Sequence, residues 1–228
     1  MQSRLSQVLT VSVFTFTSCV LSVAPTMAIP VSWTDWTSAS STSATGTANG
    51  ITINFTGAIN PSAQTSGGTN YWASSPSTYS SPPAVDDGPT SSDIIRLTGG
   101  SGTGTQTLTF STPVVNPVMT VLSLGQPGFP VTYNFSTPFL ILNNGPGFWG
   151  SGPLTSLPGN ILEGREGHGL IQFTGTFSSI SWTIPTAEFW HGFTIGLPDS
   201  AAPVPEPASL FLLGSGLAGL VAWRRHRH

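Results

Sequence analysis

The chain has 228 residues, of which 7% are charged, and carries a formal net charge of −3. Lysine is absent, and between residues 29 and 203 the carboxylates of Asp35, Asp86, Asp87, Asp93, Glu163, Glu166, Glu188 and Asp199 stand against only Arg96 and Arg165. Such a surface repels phosphate backbones and excludes nucleic acid as a partner, and its Ser, Thr, Asn and Gly suit sugars or calcium better than anions.

Residues 1–28 read as a secretory signal peptide. Arg4 supplies a positive start, Leu5 to Ala24 is uncharged and mildly apolar, and Thr26-Met27-Ala28 offers small residues for cleavage after Ala28. The partners at this stage are the Sec export machinery and signal peptidase. Cys19, the only cysteine, leaves with the signal, so the mature chain has no disulfide, no thiol catalyst and no thiolate metal site.

Residues 29–197 read as one all-β domain, an antiparallel sandwich of jelly-roll type. Ser38 to Gly50 is a polar loop or hairpin, and Ile51-Thr52-Ile53-Asn54-Phe55 alternates with a period of two, as a strand with one wet face does. Asn60 to Pro89 is dense in Ser, Thr, Pro and Gly, and a loop of that length is expected to be functional, mobile or glycosylated. Eight short apolar runs follow: 94–98, 106–110, 118–124, 131–135, 139–142, 170–173, 177–184 and 189–196. Gly or Pro punctuates most of them. Closely spaced short strands, with no helix-period segment before Ala208, exclude a helical or βαβ fold. Residues 198–204, with Pro198 and Pro203, form a stiff linker.

Three constellations in this domain bear on chemistry. Tyr71, Trp72, Trp149 and Trp190 are aromatic side chains that can stack on sugar faces, or tack loops to the core. Asp86, Asp87 and Asp93 place hard oxygen ligands of the kind calcium takes in one loop, without the spacing of an EF-hand; Asp-Gly turns give the same pattern for backbone reasons. Glu163, Glu166 and His168 occupy a turn-like Glu-Gly-Arg-Glu-Gly-His-Gly stretch, with Glu188 and His191 at the start of the last strand. Those groups would serve a metal or a glycosidic acid and base, whereas Arg165 pairing with an acid and His191 lying on the core face would make them structural. No phosphate loop, nucleophile elbow, HExxH or paired-cysteine motif occurs, and no catalytic residue is assigned.

The chain closes on Pro205-Glu206-Pro207, an uncharged apolar run from Ala208 to Trp223, and Arg224, Arg225 and Arg227. As a helix the run would reach about 24 Å, a little short of a hydrocarbon core of about 30 Å. Trp223 and the arginines stop it at the interface, and the positive-inside rule keeps the extreme C-terminus cytoplasmic. This order of motif, helix and arginine cluster over 205–228 resembles the PEP-CTERM sorting signal of exopolysaccharide-producing Gram-negative bacteria. The resemblance implies recognition by exosortase, with Pro205, Glu206 and Pro207 as substrate residues and cleavage near them. It also implies an inner-membrane stage followed by release to the cell surface or matrix.

The sequence therefore predicts an exported, non-enzymatic envelope protein with a structural or adhesive role in exopolysaccharide or biofilm material. Two alternatives stand beside it: a carbohydrate-binding module, with or without calcium as its sole cofactor, and a glycoside hydrolase or lyase using Glu163, Glu166 and Glu188.

Overall fold

A computed structural model describes residues 30–199 of the chain. The predicted signal peptide, the residues Pro205, Glu206 and Pro207, the apolar run 208–223 and the arginines beyond it lie outside the described residues. Among those described, no helix is long and apolar enough to cross a membrane.

Fourteen strands make two antiparallel sheets. In chain order they are β1 (Val31–Trp33), β2 (Asp35–Ala39), β3 (Ser43–Ala48), β4 (Ile51–Thr56), β5 (Ile95–Leu97), β6 (Thr105–Val115), β7 (Val118–Leu124), β8 (Val131–Phe135), β9 (Leu140–Asn144), β10 (Leu154–Leu157), β11 (Ile161–Gly164), β12 (Gly167–Gln172), β13 (Thr176–Thr183) and β14 (His191–Pro198). The smaller sheet runs β1-β14-β7-β12-β9, with β5 pairing β14 beside β1, and the larger runs β10-β11-β8-β13-β6-β4-β3-β2. Their inner faces meet over Met119, Val121, Phe193 and Ile195 from one sheet and Ile53, Phe55, Leu108 and Trp182 from the other. Phe193 sits at the centre, with its ring 5.3 Å from Phe55 and 5.4 Å from Trp182.

The local patterns explain the pairing. Ser38 to Gly50 forms the polar hairpin β2–β3, whose inward residues Ala44, Gly46 and Ala48 are too small to give a visible apolar alternation. They are small because Trp36 lies opposite Gly46, where an added Cβ would come 2.6 Å from the Asp35 carbonyl oxygen. Strand β6 continues through Pro113, past the predicted end at Phe110, because its register against β13 shifts just there and the irregular stretch needs no ladder donor from the proline. Strands β10 and β11 were not expected: they are four residues each and carry too few apolar positions to show a period. The turn expected over 163–169 shrinks to Arg165-Glu166, with Glu163 in β11 and His168 in β12.

The long segment 60–93 is a cover. It contains one 3₁₀ turn, Pro76–Tyr79, and otherwise no regular element beyond isolated bridges. It lies on the outer face of the smaller sheet, where Tyr71, Trp72, Tyr79 and Ile94 pack on Leu122, and Val85 packs on Val118 and Leu170. Strand β7 is buried along its whole length because it is apolar on both faces. The segment is thus a third layer rather than a free loop.

Both ends of the domain leave from one pole. Val31 pairs Pro198, and the Asp199 amide donates to the Pro30 carbonyl at 2.9 Å. The other pole gathers the loops after β7, β9, β11 and β13, and β14 separates the two by eight residues, about 25 Å at roughly 3.3 Å per residue.

Because Phe193 joins both sheets, Phe193→Ala is expected to lower unfolding free energy by about 3–5 kcal/mol, read as a reduced urea midpoint at unchanged slope.

Candidate functional site

At the pole opposite Val31 and Pro198, a cleft of about 270 Å³ is lined by Ser123, Gln126, Pro127, Trp149, Glu166, Glu188 and Trp190. Its walls come from three strand ends. Strand β7 meets β12 with a register shift between Gly167 and Gly169, so that Leu122 and Ser123 together face His168. The extra residue changes the alternation, turning Leu124 into the core with Met119 and Val121 and freeing Ser123 for the cleft. Ser123 takes a left-handed φ of 56° and Glu166 one of 70°, conformations that are sparsely populated for side chains of this kind and that cluster at functional sites. The Ser123 hydroxyl bonds to Glu166 Oε1, and its amide donates to His168 Nδ1 at 3.1 Å.

That amide fixes the tautomer of His168. With Nδ1 accepting, the proton sits on Nε2, which is buried, has no hydrogen-bond partner and lies 3.7 Å from Glu166 Oε1. The ring is closed in by Tyr79, whose hydroxyl approaches Nδ1 at 3.4 Å, and by Gly147, where a Cβ would stand 2.2 Å from the imidazole. Burial therefore pushes the His168 pKa down to about 4. The next carboxylate, Glu188, is held by the Gly125 amide at 3.1 Å, and His191 Nδ1 lies 2.7 Å from the same Oε2 without the geometry of a hydrogen bond. His191 is fully buried on the core face, as its strand parity with Phe193 and Ile195 predicts, and its ring packs 5.4 Å from Tyr133. Burial raises the Tyr133 hydroxyl well above its usual pKa, and Glu188 raises it further.

The aromatic wall is one cluster. Trp149 and Trp190 meet edge to face at 4.3 Å, and Tyr71 contacts both at 5.0 and 5.6 Å and Phe148 at 4.9 Å. Arg96 lies against the cluster, with its guanidinium 5.1 Å from the Tyr71 ring and 5.0 Å from that of Trp190. Its Nη2 donates to the Tyr71 hydroxyl at 2.6 Å and to Gln64 at 2.9 Å. Trp149 is 47% exposed at the tip of the β9–β10 loop, and Phe129 and Phe189, 73% and 82% exposed, stand on neighbouring loops of the same pole.

The sequence candidates thus separate. Trp149 and Trp190 share the cleft, and Tyr71 buttresses them with its own ring mostly covered. Trp72 does not offer a platform: it is 1% exposed, packs on Tyr79 at 5.0 Å and donates its indole N–H to the Asp93 carbonyl at 3.3 Å, tacking the covering segment down. Glu166 and Glu188 line one cleft, while Glu163 pairs with Arg165 at 3.0 Å outside it. Asp86 and Asp87 are exposed, whereas Asp93 is buried with Oδ2 accepting from the Trp36 amide at 3.0 Å. Burial, with a smaller contribution from Asp35, raises the Asp93 pKa despite that bond. Among the described residues no three His, Asp or Glu come close enough together to hold a metal ion. Ser123, Gln126, Phe148 and Arg96 escaped sequence reasoning; only Phe148 left a trace, as half of an aromatic pair between glycines.

Residues 203–227 match the family model of the PEP-CTERM protein-sorting motif. No curated protein and no solved structure matches the chain.

The pH dependence of stability follows from His168. An exposed imidazole in the unfolded chain takes up a proton near pH 6.5, whereas the folded one waits until about pH 4, so the unfolded state binds more protons in that window. His168 is then expected to cost stability progressively as pH falls from about 6.5 to about 4. Urea midpoints measured across that range should flatten in His168→Gln relative to the parent protein.

Proposed function

We propose that the mature domain is a non-enzymatic glycan-binding protein of the cell envelope or extracellular matrix, with an adhesive or structural role toward exopolysaccharide. The PEP-CTERM motif implies exosortase-dependent sorting of an exported protein. On this reading the apolar run 208–223 holds the chain in the inner membrane until cleavage near Pro205 to Pro207.

One observation carries the binding role: the exposed aromatics and the strained, polar cleft share the pole opposite the two ends of the described domain. A domain tethered through residue 199 and beyond presents that pole outward. Trp149 and Trp190 supply flat apolar faces for pyranose rings, and Glu166, Glu188, Gln126 and Ser123 supply hydrogen-bonding groups beside them. Binding sites commonly combine a few such polar groups with apolar walls, and with no accessible lysine the site is not suited to phosphate.

A second reading, glycosidic cleavage, draws on Glu166 and Glu188 lining one cleft, where one carboxyl would act as acid and the other as base or nucleophile. It predicts new reducing ends when the protein is incubated with the polysaccharide it retains. A constant reducing-end count would leave binding alone.

Purified mature protein is expected to be retained on exopolysaccharide of its host, with Trp149→Ala weakening retention about tenfold, near the 1.4 kcal/mol typical of a contact residue at an interface centre. Trp149 is half exposed, so the substitution should leave the fold intact by circular dichroism. Absence of retention by the parent protein would sink the binding role. Intact mass of the protein recovered from envelope and medium should end near Pro205 to Pro207; a mass running through His228 would mean that the sorting helix is kept.

A further inference from the structure

We infer that the cleft selects saccharides that carry free ammonium groups and rejects uronic acids; this rests on the glycan-binding reading above and narrows its ligand. The argument is one of uncompensated charge. Two carboxylates line the cleft, and no cation does. Between the two sorting signals the chain has only Arg96 and Arg165 as strong bases. Arg96 is committed to Tyr71 and Gln64 and is 8% exposed, and Arg165 is drawn to Glu163.

Glu166 in particular lacks a counter-charge. It accepts from the Ser123 hydroxyl, and its other close neighbour is the buried, unpartnered Nε2 of His168 at 3.7 Å. Ser123 donates to the opposite ring nitrogen, which holds the imidazole in its neutral form above about pH 4. Glu188 already takes the Gly125 amide on Oε2, with His191 Nδ1 2.7 Å from that oxygen. A ligand carboxylate entering here would meet a like charge and find no donor pair of the Arg type. A ligand ammonium would gain a charge-assisted hydrogen bond to Glu166, about twice as strong as a neutral one, and a cation–π contact with the indole of Trp149, the one of the pair that Arg96 does not already face. Acetylating that amine removes both gains and leaves ring stacking.

The test uses full mature protein and three oligomers of equal length at about pH 6 and low salt: glucosamine, N-acetylglucosamine and galacturonate, titrated by calorimetry. The glucosamine oligomer is expected to bind about tenfold more tightly than its acetylated form, with the ratio shrinking as salt is raised, and galacturonate is expected not to bind. In Glu166→Gln the ratio of amine to acetylated binding should fall toward one. Equal binding of the two glucosamine forms, or galacturonate binding as tight as either, would overturn the charge selection and leave the cleft a glycan site. Failure of all three oligomers, together with no retention on host exopolysaccharide, would instead remove the glycan reading on which the selection rests.

Discussion

The structure depends on β7 being apolar on both faces. Met119 and Val121 belong to the core between the sheets, while Val118 and Leu122 point to the outside of the smaller sheet and need a second cover. The segment 60–93 supplies that cover with Tyr71, Trp72, Tyr79 and Val85, and it does so with hardly any regular structure of its own. Its backbone is held by side chains, Asn143 donating to the carbonyls of Ser77 and Ser80 and Trp33 to that of Asp87, and its own Thr78 hydroxyl donates outward to the Pro146 carbonyl. Burying these aromatics gives a domain without cysteine much of its apolar burial, since each large ring withdraws on the order of 150–250 Å² from water.

The same cover assembles the cleft. Tyr71 comes from it and wedges beneath Trp149 and Trp190, and Tyr79 comes from it and shuts His168 away from water. The bulge in β7 then sets Ser123 between His168 and Glu166. Packing and site are therefore one construction. The left-handed backbone at Ser123 and Glu166 costs on the order of 1 kcal/mol or more at each residue, and the hydrogen bonds it aims at His168 and Glu166 offset part of that.

What the sequence disclosed follows from which signals are local. Strand β7 and the alternating strand β4 were legible because apolar residues recur at period two or fill a whole run between Pro and Gly. Strands β10 and β11 were not, since four residues are too few to show a period and each has only two large apolar side chains. Of the four aromatics picked out as sugar platforms, Trp149 and Trp190 converge and Trp72 is buried. Composition cannot tell these fates apart, because they are decided by whether the opposing surface, here Tyr79 and the β5 approach, reaches the ring. Ser123 and Arg96 were invisible for a related reason: their roles come from a bulge and from contacts 25 and 32 residues away in the chain. The sorting motif was legible in full, since its meaning is read by another protein as linear sequence and owes nothing to this fold.

Low charge gives the cleft its character. A domain with many lysines would have flexible cations able to swing into any exposed carboxylate and neutralise it; here neither arginine lines the cleft. Glu166 consequently keeps its acceptor capacity for whatever enters beside Trp149. The two ends of the described domain, paired through Val31 and Pro198 at the far pole, stand about 25 Å from it along β14. A cut near Pro205, in the sorting that the PEP-CTERM motif implies, would remove no residue of the cleft. Strand β14 thus runs from the pole that carries the cleft to the pole where both ends of the domain leave.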